Sequence, residues 1–143
     1  MLCDSLDRKN IEYKWYIIGK AFTDEMDKQI KDMFIGNNKV EFLGYKENPF
    51  PYVKQMNYFV LLSDREADPL SVQEALILGI PNIITNFKGA NNYINDSNGI
   101  ILPMDVADYD DYIDRIVNSQ YVINKDDYNY NKRLEQWEKL IEE

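Results

Sequence analysis

The chain has 143 residues, 45% of them hydrophobic, and a formal net charge of −9 at pH 7, which fits one globular domain. Because it has no histidine and a single cysteine, Cys3, a Ser-His-Asp triad, a histidine-ligated zinc site and an internal disulfide are excluded. The negative charge argues against binding nucleic acid or an anionic membrane, since both would repel the chain. No apolar run approaches the roughly 20 residues of a membrane-spanning helix, and no signal peptide is visible. We therefore expect a cytoplasmic protein without direct membrane insertion.

The first half of the chain predicts short strands that alternate with helices. Two of the strands end at a glycine. Thr23 is suited to cap an amphipathic helix whose apolar residues recur at spacings of three and four. In chain order, the predicted elements are a helix end over 6–13, strand 14–19, helix 23–34, strand 39–44 and a short helix over 48–56.

The second half continues the alternation. Its first strand, "YFVLLS", is apolar on both faces, which is typical of a strand buried in a parallel sheet. In the helix that follows, Pro69 suits the first turn, Gly79 suits the C-terminal cap and Pro81 prevents continuation. The predicted elements are strand 58–63, helix 69–78, strand 81–85, a short helix or turn over 89–95, strand 99–103, and helices 105–119 and 126–143.

This alternation predicts an α/β fold, namely a Rossmann-like parallel sheet with helices on both faces. No internal repeat divides the chain, so we expect a single domain over residues 1–143. The pattern opens with the end of a helix and has no strand before it. Because a doubly wound fold usually begins with a strand, we expect that one strand and most of one helix are missing.

The loop after the third predicted strand carries the candidate chemistry. Ligands of parallel sheets bind beyond the carboxyl ends of the strands, and "DREADPLSVQE" begins at such an end. The backbone N–H groups of Leu70 and Ser71 are expected to lack intrahelical partners, which favours an anion such as phosphate. Asp68 is a possible helix cap. Glu66 lies in the loop, and Glu74 lies further along the helix, where its carboxylate suits the two hydroxyls of a ribose. Acidic residues are also common at helix starts for structural reasons alone, and their spacing by itself favours that explanation.

Several segments together resemble the C-terminal half of family 4 (group 1) glycosyltransferases of the GT-B fold. Glu66 and Glu74 match the E-x7-E motif of that family, and "EALILGIP" matches the pattern that follows it. The likeness covers residues 11–104, and "NPFPY" is similar to enzymes that build bacterial capsule, O-antigen or other surface glycans. The remaining matching segments are "WYIIGKA", "VEFLGYKENPFPYVKQMNYFVLLS" and "SNGIILP".

The resemblance implies a retaining transferase whose donor is a nucleotide-diphosphate sugar, with no metal in the site and no cofactor. It assigns Glu74 to the ribose hydroxyls and Glu66, as the catalytic residue, to the donor sugar near its reacting carbon. Pro69 has no N–H and can only shape the turn. The other implied donor-binding positions are Gly19, Leu43, Tyr45, Ala67, Asp68, Leu70 and Ser71.

Members of the family also carry, before this region, an Arg and Lys that neutralise the diphosphate, and a domain that binds the acceptor. Residues 1–143 contain neither, so we expect a fragment of a longer hexosyltransferase-type enzyme that is inactive alone. The missing domain would bind a glycan or lipid-linked acceptor, at the inner face of the membrane in the full-length enzyme. The alternative is a non-catalytic Rossmann-like module for nucleotide binding or protein interaction.

Overall fold

The structure is a computed structural model that describes residues 2–128, without the side chain of Asp126. The strands of these residues are β1 (Trp15–Ile18), β2 (Val40–Gly44), β3 (Phe59–Leu61), β4 (Asn82–Thr85) and β5 (Gly99–Leu102). Every strand pair is parallel. The strands form two separate sheets, β1-β2 and β3-β4-β5. The α/β architecture with parallel strands is therefore confirmed, but the hydrogen-bonded ladder is interrupted between β1 and β3.

The helices lie close to the predicted positions. They are α1 (Leu2–Arg8), α2 (Asp24–Asp32), α3 (Phe50–Val53), α4 (Leu70–Ile77) and α5 (Asp110–Asn118), with 3-10 helices over Ala90–Asn92 and Lys125–Tyr128. Thr23 caps α2 as predicted, because its Oγ1 accepts a hydrogen bond from the Met26 N–H at 3.2 Å. Of the helix predicted over 126–143, residues 129–143 lie outside the described part of the chain.

The central strand β4 separates two hydrophobic clusters. Ile83 packs with α1 and α5 on one face, while Ile84 packs with α4 on the other. Successive strand residues point to opposite faces of a sheet, so this division places helices on both sides of the three-stranded sheet. All four residues of β4 are buried.

Strand β3 differs from its prediction. Its sequence is apolar on both faces, but Phe59, Val60 and Leu61 are each only partly buried. The reason is its position, because β3 pairs with β4 on one side and is the edge of its sheet on the other. The prediction of a fully buried strand is therefore wrong for β3, and β4 takes that role instead.

The end of α4 is fixed by Gly79, as the sequence predicts. Gly79 has φ +80°, a left-handed conformation that favours glycine. Its N–H donates to Leu76 O, and the Ile80 N–H donates to Ala75 O, each at 2.9 Å. These two bonds are the Schellman pattern, which satisfies the last carbonyls of the helix and turns the chain into β4.

Candidate functional site

A cleft of about 950 Å³ lies between the two sheets. Strands β1 and β3 line it, together with residues of α1, α3, α4 and α5. Of the predicted donor-binding residues, Gly19, Tyr45, Ser71 and Glu74 line this cleft. They come from three segments distant in sequence, so the fold brings them to one cavity.

Helix α4 directs the polar residues Ser71 and Glu74 to the cleft. Ser71, Glu74 and Leu78 follow one another at spacings of three and four, which places them on one side of a helix. All three line the cleft, whereas Val72 and Leu76 pack in the core on the opposite side. The core contacts therefore fix the rotation of the helix, and this rotation directs the exposed Glu74 carboxylate towards the cavity.

The loop before α4 is held at its base by Thr85 of the central strand. The Ser63 N–H donates to Thr85 Oγ1 at 2.9 Å, and the same hydroxyl donates to Ser63 O at 2.5 Å. Through the Thr85 side chain, these two bonds continue the pairing of β3 with β4 beyond its last backbone pair. They fix the point from which the loop carrying Glu66 leaves the sheet.

Asp68 does not cap α4, so that prediction is wrong. The N-cap position is Pro69, which forms no side-chain capping bond. The Asp68 carboxylate instead accepts hydrogen bonds from Gln73 Nε2 and, at 3.1 Å, from the Tyr93 hydroxyl. Two donors from neighbouring elements therefore form hydrogen bonds with this carboxylate.

The free N–H groups predicted at the start of α4 are only partly observed. The Leu70 N–H donates to Asp68 O at 2.9 Å, because Pro69 has φ −73° and ψ 85° and closes a tight three-residue turn. The prediction of an unpaired Leu70 N–H is therefore wrong. Within residues 2–128 the Ser71 N–H has no hydrogen-bond partner, and Ser71 is exposed at the cleft.

The other predicted site residues do not line the cleft. Glu66 is partly buried in the loop, where Ala67 and Asp68 are exposed, and Pro69 is buried beneath the start of α4. Leu70 is exposed and Leu43 lies partly buried in β2. The structure thus gathers Glu74 with Ser71, Gly19 and Tyr45, and leaves Glu66 on the adjoining loop.

Lys46 is a cleft residue that the sequence patterns did not indicate. It follows Tyr45 directly beyond the carboxyl end of β2, and that position is the signal that points to it. Its Nζ lies 5.4 Å from the centre of the Tyr52 ring, and among the described residues it forms no ion pair. Lys14 also lines the cleft, but its ammonium pairs with Glu41 at 3.4 Å.

Tyr58 lines the cleft next to β3. Its hydroxyl donates to Ile116 O at 2.5 Å, joining the sheet to α5. Burial raises the pKa of the Tyr58 phenol, and the nearby phenol of Tyr121 raises it further. The hydroxyl therefore stays protonated and remains a donor at neutral pH.

Among residues 2–128, no group of three or more His, Cys, Asp or Glu side chains is arranged to hold a metal ion. In the same range, no helix combines the length and apolar character needed to cross a membrane.

Comparison with known proteins gives one family. No curated protein matches the chain significantly. The sequence profile of the family described as "Glycosyl transferases group 1" matches residues 2–136. This match covers almost the whole chain, including all five strands and the cleft-lining face of α4. The chain therefore belongs to the group 1 glycosyltransferases.

Proposed function

We propose that residues 1–143 form the donor-binding domain of a retaining glycosyltransferase of family 4, built as one half of a GT-B fold. The observation that carries this proposal is the convergence of Gly19, Tyr45, Ser71 and Glu74 on one cleft in a chain of the group 1 family. The donor is a nucleotide-diphosphate sugar, and the site uses neither a metal ion nor a further cofactor.

Glu74 is proposed to hold the ribose of the donor. Its carboxylate is exposed on the cleft side of α4, where it offers two acceptor oxygens. Ser71 lies one turn nearer the start of the helix, with an unpaired N–H among the described residues. The diphosphate would lie against this N–H and the positive end of the helix dipole, and Lys46 supplies a cation in the same cleft.

Glu66 is proposed to contact the donor sugar and to favour the positive charge that develops at its reacting carbon. It lies in the loop that Thr85 fixes at Ser63 and that Tyr93 holds at Asp68. Because the loop is anchored at both ends, the Glu66 backbone is restrained next to the start of α4.

Residues 1–143 alone are proposed to bind the donor without transferring sugar, and the acceptor site and basic pair of the family are proposed to belong to the full-length enzyme. In the full-length enzyme, cytoplasmic and at the inner face of the membrane, the reaction would transfer a hexose to a glycan or lipid-linked acceptor of a bacterial surface polysaccharide. Incubating the chain with nucleotide sugars and saccharide acceptors should give no glycoside. Product formation would contradict this part of the proposal and leave donor binding intact.

Titration calorimetry with uridine, guanosine and adenosine diphosphates tests donor binding directly. One of these should bind, and Glu74→Gln should weaken it by roughly ten-fold, because charge-assisted hydrogen bonds contribute about 1.5–3 kcal/mol. Glu25→Gln makes the same chemical change on exposed α2, outside the cleft-lining residues, and should leave the affinity unchanged. Equal affinity of the wild type and Glu74→Gln would remove Glu74 from the site.

A further inference from the structure

We propose that Asp68 determines which sugar the donor carries. Its Oδ2 would accept a hydrogen bond from a hydroxyl of the donor sugar, and its charge would disfavour a sugar that has a carboxylate. The preferred donor therefore carries an uncharged sugar, and a nucleotide-linked uronate binds more weakly. This inference rests on the proposed donor site and adds a specificity-determining residue to it.

The Asp68 carboxylate is held through one of its two oxygens. Gln73 Nε2 and the Tyr93 hydroxyl both donate to Oδ1, the hydroxyl at 3.1 Å. Oδ2 takes part in neither bond, and Asp68 is exposed. Each oxygen of an ionised carboxylate can accept hydrogen bonds. The contacts therefore fix the side chain by Oδ1 and leave Oδ2 for a ligand.

Gln73 provides a rigid support for this arrangement. It is only 5% exposed, and its Nε2 donates to Asp68. Its Oε1 is buried and has no hydrogen-bond partner within residues 2–128. Because buried polar atoms are normally paired, the bond to Asp68 determines how this amide is oriented. A surface carboxylate held in this way loses little further freedom when a ligand binds, which favours recognition.

The position of Asp68 suits the sugar end of the donor. Glu74 and Ser71, the proposed ribose and diphosphate contacts, face the cleft on one side of α4. Gln73 lies two residues after Ser71, which is about 200° around a helix, so Asp68 is bonded to the side of α4 that faces away from the cleft. Tyr93, after β4, holds it from that same side. A donor that runs from Glu74 past Ser71 would therefore bring its sugar towards Asp68.

The charge of the loop favours an uncharged sugar. Asp64, Glu66 and Asp68 outnumber Arg65, so loop 64–68 has a formal net charge of −2. Ionised carboxylates only accept hydrogen bonds, and sugar hydroxyls can donate to them. The carboxylate of a uronate offers acceptors alone and a like charge, which is unfavourable beside Asp68. The loop therefore separates hexoses from their uronates.

The test compares two ligands that differ only at the last carbon of the sugar. The nucleoside diphosphate that binds is used as its hexose and its hexuronate derivative, which for uridine are UDP-glucose and UDP-glucuronate. Asp68→Asn is the variant, because its amide oxygen can still accept from Gln73 and Tyr93 while an NH2 group replaces Oδ2. Asp64→Asn removes one charge from an exposed position of the same loop and is the matched control.

Titration calorimetry gives the ratio of the two affinities. The wild type should bind the hexose derivative roughly ten-fold more tightly than the uronate, Asp68→Asn should reduce this ratio by roughly five-fold, and Asp64→Asn should change it by about two-fold at most. A purely structural role of Asp68 would lower both affinities together and leave the ratio unchanged, which would overturn the inference. A wild type that prefers the uronate would overturn it as well.

The nucleoside diphosphates alone separate this inference from the proposed function. If one of them binds and the ratio in Asp68→Asn equals that of the wild type, the donor site stands and only the role of Asp68 is wrong. If uridine, guanosine and adenosine diphosphates all fail to bind, the proposed donor site is wrong, and the role of Asp68 is wrong with it.

Discussion

Tyr93 and Asp68 connect two loops at the carboxyl edge of the sheet, because the Tyr93 hydroxyl donates to Asp68 Oδ1 at 3.1 Å. Gln73 of α4 donates to the same oxygen through its Nε2. The carboxylate is thus held from two directions, which restrains the loop that carries Glu66. Both donors are neutral, so they stabilise the carboxylate of Asp68 without removing its charge.

Tyr93→Phe tests whether this contact orders the loop. The variant removes one donor to a carboxylate in an exposed position, so the free energy of unfolding should fall by about 1 kcal/mol or less. Amide exchange over residues 64–69 should become about three-fold faster, while the Ile83 and Ile84 amides of the core stay protected. Tyr112→Phe removes a hydroxyl from α5 as a control. Unchanged exchange over 64–69 would show that the Tyr93 hydroxyl does not order the loop.

The ion pair between Arg8 and Asp110 should make the stability of the α1–α5 contact depend on pH. Arg8 donates to both carboxylate oxygens, with Nη2–Oδ1 at 2.6 Å and Nε–Oδ2 at 3.1 Å. The hydrogen bond from Arg8 lowers the pKa of Asp110, and a hydrogen bond with Ser5 lowers it further. A carboxyl with a lowered folded pKa stabilises the fold above its unfolded pKa, and this contribution disappears as pH falls through the folded value.

Asp110→Asn should therefore lower the free energy of unfolding at pH 7, and the deficit should shrink below about pH 4. Urea unfolding of the two proteins at pH 7, 5, 4 and 3 measures this difference. Asp111→Asn makes the same change at the next residue in the first turn of α5, and it separates the ion pair from the effect of the helix dipole. A deficit that stays constant across the pH range would exclude the charge of Asp110 as its cause.

Gly79 and Gly36 form a matched pair for testing backbone strain. Both have φ +80°, but a Cβ on Gly79 would lie 2.5 Å from Lys125 Cε, whereas a Cβ on Gly36 would meet nothing within 4 Å. Gly36→Ala should thus lower the free energy of unfolding by about 1–2 kcal/mol, because alanine must adopt the left-handed conformation there. Gly79→Ala should cost more, because the Lys125 side chain must also move. Thermal unfolding of both variants, and of Gly79→Ala combined with Lys125→Ala, measures the two contributions. The double variant should then approach the cost of Gly36→Ala.

The elements of the fold could be predicted from the sequence because each has a local cause. Thr23 caps α2, Gly79 ends α4, and alternating strands and helices produce parallel pairing. Burial of β3 could not be predicted in this way, because it depends on which strand lies beside it. The same applies to α2, where Met26 and Ile30 form the predicted apolar stripe but are 46% and 37% exposed. A stripe indicates which face can be buried and not whether a partner covers it.

Part of the candidate site could be predicted from the sequence, because local spacing along α4 decides which side chains share a face. Glu74 and Ser71 reach the cleft because helical spacing and the core contacts of α4 fix their direction. The hydrogen bonding of Asp68 and Leu70 depends on Pro69 ψ and on Tyr93, which is 25 residues away in sequence from Asp68. Neither condition can be read from the spacing of the motif. Lys46 was missed because a single lysine after a strand has no distinctive pattern.

The proposed roles of Glu66 and Glu74 can be distinguished by comparing the affinities of their variants for a nucleoside diphosphate and for a nucleotide sugar. Glu74 is proposed to hold the ribose, which both ligands contain, so Glu74→Gln should weaken both by the same factor, roughly ten-fold. Glu66 is proposed to contact only the sugar. Glu66→Gln should therefore weaken binding of the nucleotide sugar by several-fold and leave binding of the nucleoside diphosphate unchanged, since Glu66 lies in the partly buried loop and Glu74 on the exposed helix face.

Titration calorimetry of the wild type and both variants with each ligand measures this pattern, with Glu25→Gln as the control for the loss of one negative charge from the surface. The ratio of the two affinities is the decisive quantity, because a general loss of folding would lower both affinities together. If Glu66→Gln leaves that ratio at the wild-type value, Glu66 is only an acidic residue near a helix start. The electrostatic role at the reacting carbon would then have to come from another group.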